Sequence, residues 1–128
     1  MALLLDTHAV IWWLEGHARL SPRARDLIEN PPAPIRVSAA SAWEIATKAR
    51  LGKLPSMVPY AGRLLEVLQS QKFEPLDVSV RHADRAGALS GPLRDPFDRM
   101  LIAQAQLEGL NLISNEKVFD RYGVTRVW

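Results

Sequence analysis

Short runs of hydrophobic residues alternate along the chain with longer segments whose hydrophobic positions recur every three or four residues. The short runs are typical of strands that are buried on both faces of a parallel sheet, and the longer segments are typical of helices with one apolar face. Strands are predicted at residues 2–5, 35–37, 73–78, 110–113 and 124–127. Helices are predicted at residues 7–15, 21–30, 39–51, 59–71, 80–89 and 116–122, and from Pro96 through Ala105 and beyond.

The order of these elements indicates the fold. Strands that alternate with helices favour a three-layer α/β/α sandwich around a mostly parallel central sheet. The third strand contains Pro75, which has no amide hydrogen to donate to a neighbouring strand, so we expect this strand at an edge of the sheet. The chain shows no internal repeat, low-complexity tract or linker, and we therefore expect one domain over residues 1–128.

Composition narrows the chemistry that the chain can carry. With 48% hydrophobic and 23% charged residues it has the composition of an ordinary globular protein. Cysteine is absent, which excludes disulfide bonds and thiolate metal sites. The three histidines, His8, His17 and His82, do not have the spacing of metal ligands. The formal charge of +2 is compatible with a nucleic-acid partner but does not by itself indicate one.

The hydrophobic N-terminal stretch has only a superficial likeness to a targeting segment. It has no basic region before the apolar run, it contains Asp6 and His8, and it is too short to span a bilayer. We interpret it as part of the core, and we expect a cytoplasmic protein with no membrane partner.

Polar residues directly follow three of the predicted strands. Asp6 follows the first strand, Ser38 the second and Ser114 the fourth. Because the carboxyl ends of parallel strands form the edge at which ligands bind to open sheets, we expect these residues to lie at a binding site.

The segment D-P-F-D supplies two further carboxylates at the start of a predicted helix. Asp95 followed by Pro96 is typical of a helix N-cap and a first helical turn. Asp98 lies three positions before Leu101, at the head of the apolar face of the same helix. A buried charge is costly unless it is paired or bound to a metal, so Asp98 needs a partner that this segment does not contain.

Four acids are thus expected at or near the carboxyl edge of the sheet, namely Asp6, Glu44, Asp98 and Glu116. When each is considered alone, the three acids other than Asp98 also have structural interpretations. Asp6 and Glu116 suit the beginnings of helices, and Glu44 completes a capping box with Ser41. Taken together, carboxylates without matching bases repel one another unless a cation lies between them. Oxygen ligands favour Mg²⁺ or Mn²⁺. The residues alone therefore predict metal-dependent hydrolysis of a phosphodiester.

Basic and aromatic residues near the acids are candidate contacts for a substrate. The basic candidates are Lys48, Arg94 and Arg99. They are suited to hold phosphates as charge-assisted donors, and the alternative is that they form a solvated surface. Trp12, Trp13 and Trp43 are most simply core or interface residues, with a platform for stacked bases as the alternative.

Four segments, in this order, resemble the PIN-domain ribonucleases and, within them, the VapC-type toxins of toxin–antitoxin pairs. The segments are L-L-L-D-T-H at residues 3–8, S-A-A-S-A-W-E-I-A at 38–46, D-P-F-D-R-M-L-I-A-Q-A at 95–105 and N-L-I-S-N-E-K-V-F-D-R-Y-G-V at 111–124. Together with the spacing between them, they extend over essentially the whole chain.

The resemblance implies an α/β/α sandwich that acts as an endonuclease on RNA with Mg²⁺ or Mn²⁺. It implies that Asp6, Glu44 and Asp98 hold the metal, that Glu116 completes the catalytic acids, and that Ser114 orients a carboxylate or water. The family's fourth acid is most often aspartate, so the longer Glu116 is expected to reach the metal through water or to be dispensable. Asp95 is interpreted as a helix cap with a supporting role.

The resemblance also implies two protein partners. One is a small antitoxin of the VapB type, whose C-terminal segment wraps the toxin and reaches the acidic site, often with an arginine. The other is a second copy of the chain in a homodimer.

Other classes of small α/β domain fit the residues less well. A receiver-like signalling module needs a pair of acids early in the chain and a lysine after a late strand, for which D-T-H-A and S-N-E-K are poor substitutes. A phosphatase of the D-x-D type is disfavoured because His8 occupies the position of the second aspartate. A non-catalytic module that binds RNA or protein on the same fold stays open, and loss of metal binding would support it.

Overall fold

Five parallel strands form the centre of the computed structural model, which describes residues 1–128. The strands are β1 (Leu3–Leu5), β2 (Ile35–Ser38), β3 (Glu74–Leu76), β4 (Asn111–Ile113) and β5 (Arg126–Val127). Their order across the sheet is β3-β2-β1-β4-β5, and every neighbouring pair is parallel. The predicted strands are therefore present, four of them shorter than predicted and β2 one residue longer. The strand that contains Pro75 lies at an edge, as expected.

Six α-helices connect and cover the strands. They are α1 (Thr7–Glu15), α2 (Pro22–Glu29), α3 (Ala39–Arg50), α4 (Leu64–Ser70), α5 (Val80–Ala88) and α6 (Pro96–Glu108). The prediction that one helix runs from residue 59 to 71 was wrong at its start, because turns precede α4 and Gly62 has a φ of 84°, which helical backbone does not adopt. The segment predicted as a helix at 116–122 is a 3-10 helix, Lys117–Tyr122.

Two separate hydrophobic cores pack on the two faces of the sheet. Successive side chains of β1 point to opposite faces, so Leu3 and Leu5 belong to the first core and Leu4 to the second. Helices α1 to α4 contribute to the first core, whereas α6 and the 3-10 helix at Lys117–Tyr122 contribute to the second, with α5 packed against α6. This arrangement confirms the three-layer α/β/α sandwich. None of its helices combines the length and the apolar character needed to cross a membrane.

The strand register brings the ends of three strands to one place. Leu5 of β1 pairs with Val37 of β2 on one side and with Ile113 of β4 on the other. The residues that come next, Asp6, Ser38 and Ser114, therefore lie side by side at the carboxyl edge. The chain leaves β1 for β2 on one side and later reaches β4 on the other side, which is the switch point where open parallel sheets bind ligands.

Candidate active site at the carboxyl edge of the sheet

Asp6 is a buried carboxylate that begins a helix at the end of the central strand. Its side chain is the N-cap of α1 and accepts a hydrogen bond of 2.8 Å from the amide of Ala9, although the residue is only 3% exposed. Burial raises the pKa of Asp6 to about 6, while the Ser114 hydroxyl and the Ala9 amide act in the opposite direction. The capping hydrogen bond therefore stabilises the Asp6 carboxylate only in part, and its negative charge remains energetically unfavourable in the buried site.

Glu44 reaches the site from α3, on one face of the sheet. The residue is 5% exposed, and its Oε2 atom accepts a hydrogen bond of 2.5 Å from the ammonium group of Lys48 one turn later. The other carboxylate oxygen, Oε1, is buried without any hydrogen-bond partner. An orphaned buried oxygen of this kind requires a physical explanation, and a bound cation is one.

Asp98 reaches the site from α6, on the opposite face of the sheet. The predicted cap is confirmed, because the side chain of Asp95 accepts hydrogen bonds from the amides of Phe97 and Asp98 at 2.8 and 3.0 Å. Burial, and after it the negative charges of the surrounding carboxylates, raise the pKa of Asp98 to about 7. The apolar face below it is buried as predicted, with Leu101 and Ile102 fully inaccessible.

Glu116 and Ser114 complete the edge after β4. Ser114 is fully buried, and its hydroxyl oxygen accepts a hydrogen bond of 3.0 Å from the amide of Glu116. The same hydroxyl also lowers the pKa of Asp6, so Ser114 acts on the carboxylate at the end of β1 as well. The charge of Glu116 is close enough to raise the pKa of Asp6 and of Asp98.

The structure thus brings all four predicted acids into one electrostatic cluster, with Asp95 at its margin. The negative charges of Asp95, Glu44, Asp6 and Glu116 all act on Asp98, and Lys48 is the base bonded to one of them. No three acidic side chains already have the spacing of a metal site. An oxygen-only donor set with one orphaned buried oxygen suits Mg²⁺ or Mn²⁺.

A hydrogen bond between two buried hydroxyl groups connects α1 and α3 next to this cluster. The Thr7 hydroxyl donates a hydrogen bond of 2.9 Å to the Ser41 hydroxyl, and both residues are buried. The capping box between Ser41 and Glu44 was therefore a wrong prediction, because α3 begins earlier and Ser38 is its N-cap. The sequence did indicate that Ser41 lies near the acidic site, because Ser41 is three residues before Glu44 and therefore on the same face of the helix.

The Thr7→Val variant tests this connection. We expect the free energy of unfolding to fall by about 1–3 kcal/mol, because the isosteric change removes the hydrogen bond that Ser41 receives in the interior. We also expect weaker Mg²⁺ binding, since Thr7 follows Asp6 directly and the connection holds α1 against the helix that carries Glu44. Urea unfolding and calorimetric titration measure the two effects. The exposed Thr125→Val variant is the matched control, and equal stability of the two variants would contradict this role.

The three basic candidates have different environments. Lys48 is bonded to Glu44, and this bond raises the pKa of the lysine. Arg94 is exposed and makes no hydrogen bond or ion pair with the protein, so its guanidinium is available to a phosphate. Arg99 is placed differently, because its guanidinium donates to the carbonyls of Ala86, Gly87, Leu89 and Leu93. These carbonyls belong to the end of α5 and the loop that follows, so Arg99 has a structural role there, and its role in substrate binding stays a prediction.

Alanine substitutions separate these two arginine environments. Arg99→Ala is expected to lower the free energy of unfolding by about 2–3 kcal/mol, because several carbonyls lose a charged donor at a helix C-terminus. Arg94→Ala is expected to leave stability unchanged and to reduce the salt dependence of RNA binding by about one phosphate contact. Thermal unfolding and binding at several salt concentrations measure these effects. The reverse pattern would support Arg99 as a substrate contact.

The tryptophans fall into two groups. Trp12 packs against the rings of His8 and Trp128 at centroid distances of 5.5 and 5.8 Å, and the Trp13 indole donates a hydrogen bond of 3.0 Å to Gln71. Both are partly buried against the first core, as expected of core or interface residues. Trp43 differs, because it is 68% exposed and lies next to Glu44.

Comparison with known proteins agrees with this architecture. The family description that matches is the PIN domain, over residues 3–124. A curated relative, Ribonuclease VapC16 of Mycobacterium tuberculosis, is 36% identical over 80 residues, which are 59% of this chain and 57% of the relative. The chain therefore matches little more than half the length of that relative.

Two solved structures are similar over most of the chain. The structure of VapBC2 from Rickettsia felis, bound to a DNA fragment from their promoter, is similar with a TM-score of 0.73 at 19% identity, over 100% of this chain and 99% of that one. A toxin-antitoxin complex from Klebsiella pneumoniae is similar with a TM-score of 0.65 at 24% identity, over 91% and 89% of the two chains. At these identities the likeness establishes a common fold.

Proposed function

Because this chain belongs to the PIN domain family, we propose that it is a divalent-metal-dependent endoribonuclease, the toxin of a VapBC-type toxin–antitoxin pair, and that it acts in the cytoplasm. The observation that carries the proposal is the convergence of four acids on one end of the sheet, with a buried carboxylate oxygen of Glu44 left without a partner. The similarity to a curated relative named as a ribonuclease supports RNA as the substrate.

In this proposal Asp6, Glu44 and Asp98 hold Mg²⁺ or Mn²⁺. Glu116 completes the acidic site, with a direct or water-mediated role. When bound, such a cation lowers the pKa of an attacking water and offsets the charge of the phosphate under attack.

The residues of the chain orient the site before substrate arrives. The Ala9 amide holds the carboxylate of Asp6 at the end of β1, and the Ser114 hydroxyl lowers the pKa of that carboxylate. Lys48 holds one oxygen of Glu44 and leaves the other for a ligand. Arg94, exposed in the loop before α6, is placed to contact a phosphate of the RNA backbone as a charge-assisted donor.

We also propose two protein partners, an antitoxin of the VapB type and a second copy of the chain. The fold shared with the Klebsiella pneumoniae toxin-antitoxin complex and with Rickettsia felis VapBC2 supports the first. An arginine from such a partner would find four carboxylates and one lysine at the carboxyl edge, a setting that favours a guanidinium. Homodimerisation rests on the family resemblance, and the molar mass in solution tests it.

Incubation of a mixed RNA pool with the purified protein tests the proposed activity. We expect cleavage with Mg²⁺ or Mn²⁺ and none with EDTA, because the clustered carboxylates need a cation to stabilise charge on the phosphate. The protein must be shown by mass spectrometry to be free of antitoxin. A preparation that is folded, free of partner and supplied with metal but cuts no RNA would contradict the proposal and favour a non-catalytic binding module.

A further inference from the structure

An apolar groove with a volume of about 330 Å³ lies beside the acidic site. On one side it is lined by Ala40 and Trp43 of α3, on the other by Phe97 and Met100 of α6, and Val78 closes one end. Six of the seven residues that line it are hydrophobic, the seventh is Pro96, and the indole N–H of Trp43 is the only side-chain hydrogen-bond donor among them. The groove is therefore a contact surface for a flat or largely apolar group.

Trp43 is the most unusual member of this groove. Its side chain is 68% exposed, and it meets the ring of Phe97 edge to face, with centroids 5.3 Å apart and planes at 73°. Such a pair holds the indole in a defined orientation. A large aromatic side chain that is held in place and still exposed beside a concave apolar surface indicates a site for a partner molecule.

The groove and the acidic cluster take neighbouring positions on the same two helices. Trp43 directly precedes Glu44 on α3, and Phe97 directly precedes Asp98 on α6. Neighbouring positions on a helix point about 100° apart, so the same two helical turns present an aromatic side chain to the groove and a carboxylate to the acidic site. A phosphate held at the acids therefore brings the attached nucleoside within reach of the groove.

We propose that this groove binds an unpaired nucleobase adjacent to the cleaved phosphate, with the base stacked on Trp43. The inference rests on the proposed ribonuclease function. A volume of about 330 Å³ is near the lower end of the roughly 300–1,000 Å³ range of small-ligand pockets. The groove is small for an α-helix, which with its side chains is about 10–12 Å across. Since the indole N–H of Trp43 is the only polar side-chain group in the lining, we expect the groove to hold an unstacked base mainly by stacking and to discriminate little between bases.

A binding cycle with two oligonucleotides tests the groove without requiring cleavage. The probes are an oligouridylate nonamer and a nonamer of the same ribose-phosphate backbone that lacks all bases, each bound to the Asp6→Asn variant with Mg²⁺ and followed by fluorescence anisotropy. We expect Trp43→Ala to weaken binding of the oligouridylate roughly 5- to 100-fold, the range for one base–aromatic stack. Binding of the abasic nonamer should not change, and Trp43→Phe should retain most of the affinity.

Leu65→Ala is the control, because Leu65 is a large exposed hydrophobic residue on α4, outside the groove.

Equal losses of affinity for both probes in the Trp43→Ala variant, or no loss for either probe, would overturn the proposal. It would also be overturned if affinity fell only together with a lower molar mass in solution, which would assign the groove to contact between two copies. Unchanged RNA affinity with weaker binding of a VapB-type antitoxin would overturn it in favour of a protein contact. If the wild-type chain cuts no RNA, the proposed function fails, but this cycle still decides the groove.

Discussion

The Asp98→Asn variant is expected to lose more than about 100-fold of the RNA cleavage rate while its metal-free form becomes more stable than the wild-type chain. Loss of a group that merely orients a metal ligand costs about 10- to 100-fold, so loss of a ligand itself should cost more. Stability should change in the opposite direction, because burial and the neighbouring carboxylates raise the pKa of Asp98 to about 7. Asparagine removes a charge that the folded chain accommodates poorly.

Single-turnover cleavage and thermal unfolding in EDTA at pH 8 measure these two effects. Asp84→Asn is the matched control, since Asp84 is an exposed aspartate on α5 and no part of the acidic cluster. The control should retain both the activity and the stability of the wild-type chain. A fully active Asp98→Asn variant would remove Asp98 from the metal site, and a strongly destabilised one would show that its carboxylate is structural.

The sheet and the acidic site were predictable because both depend on short-range patterns. Continuous apolar runs such as L-L-L identify buried strands without knowledge of their neighbours. Since parallel strands place their carboxyl ends at one edge, Asp6 and Ser114 could be expected at the same edge of the sheet before the strand order was known. For Asp98, the head of an apolar helical face was sufficient to indicate a buried carboxylate in need of a partner.

The wrong prediction of a cap at Ser41 and the environment of Arg99 both depend on contacts between distant segments. The S-A-W-E pattern favours a cap at Ser41, but Ser38 begins the helix at the end of β2 and Ser41 turns to a partner in another helix, 34 positions earlier in the chain. Arg99 is near an acid in sequence, yet the carbonyls at the end of α5 face it once α5 packs on α6. In both cases a local pattern allowed more than one hydrogen-bond partner, and tertiary packing selected between them.

Binding of Mg²⁺ is expected to strengthen about 10- to 100-fold between pH 5.5 and pH 8, because ligand carboxylates must be deprotonated. The pKa values of Asp6 and Asp98 are raised to about 6 and about 7 from 3.8. Between roughly pH 4 and 7 the metal-free folded chain therefore binds more protons than the unfolded chain. Its stability should consequently fall as the pH rises through this range. Saturating Mg²⁺ should offset the loss, because it binds the ionised form of the folded chain.

Calorimetric titrations at pH 6 in buffers with different ionisation enthalpies count the protons released on Mg²⁺ binding. The wild-type chain should release protons at pH 6 and almost none at pH 8, where both aspartates are already ionised. The Asp98→Asn variant, compared at pH 6, should release fewer, because Asp98 is the aspartate with the higher pKa. Mg²⁺ affinity that does not change with pH would show that the cation does not bind these two carboxylates, and would move the metal site away from the end of β1 and the start of α6.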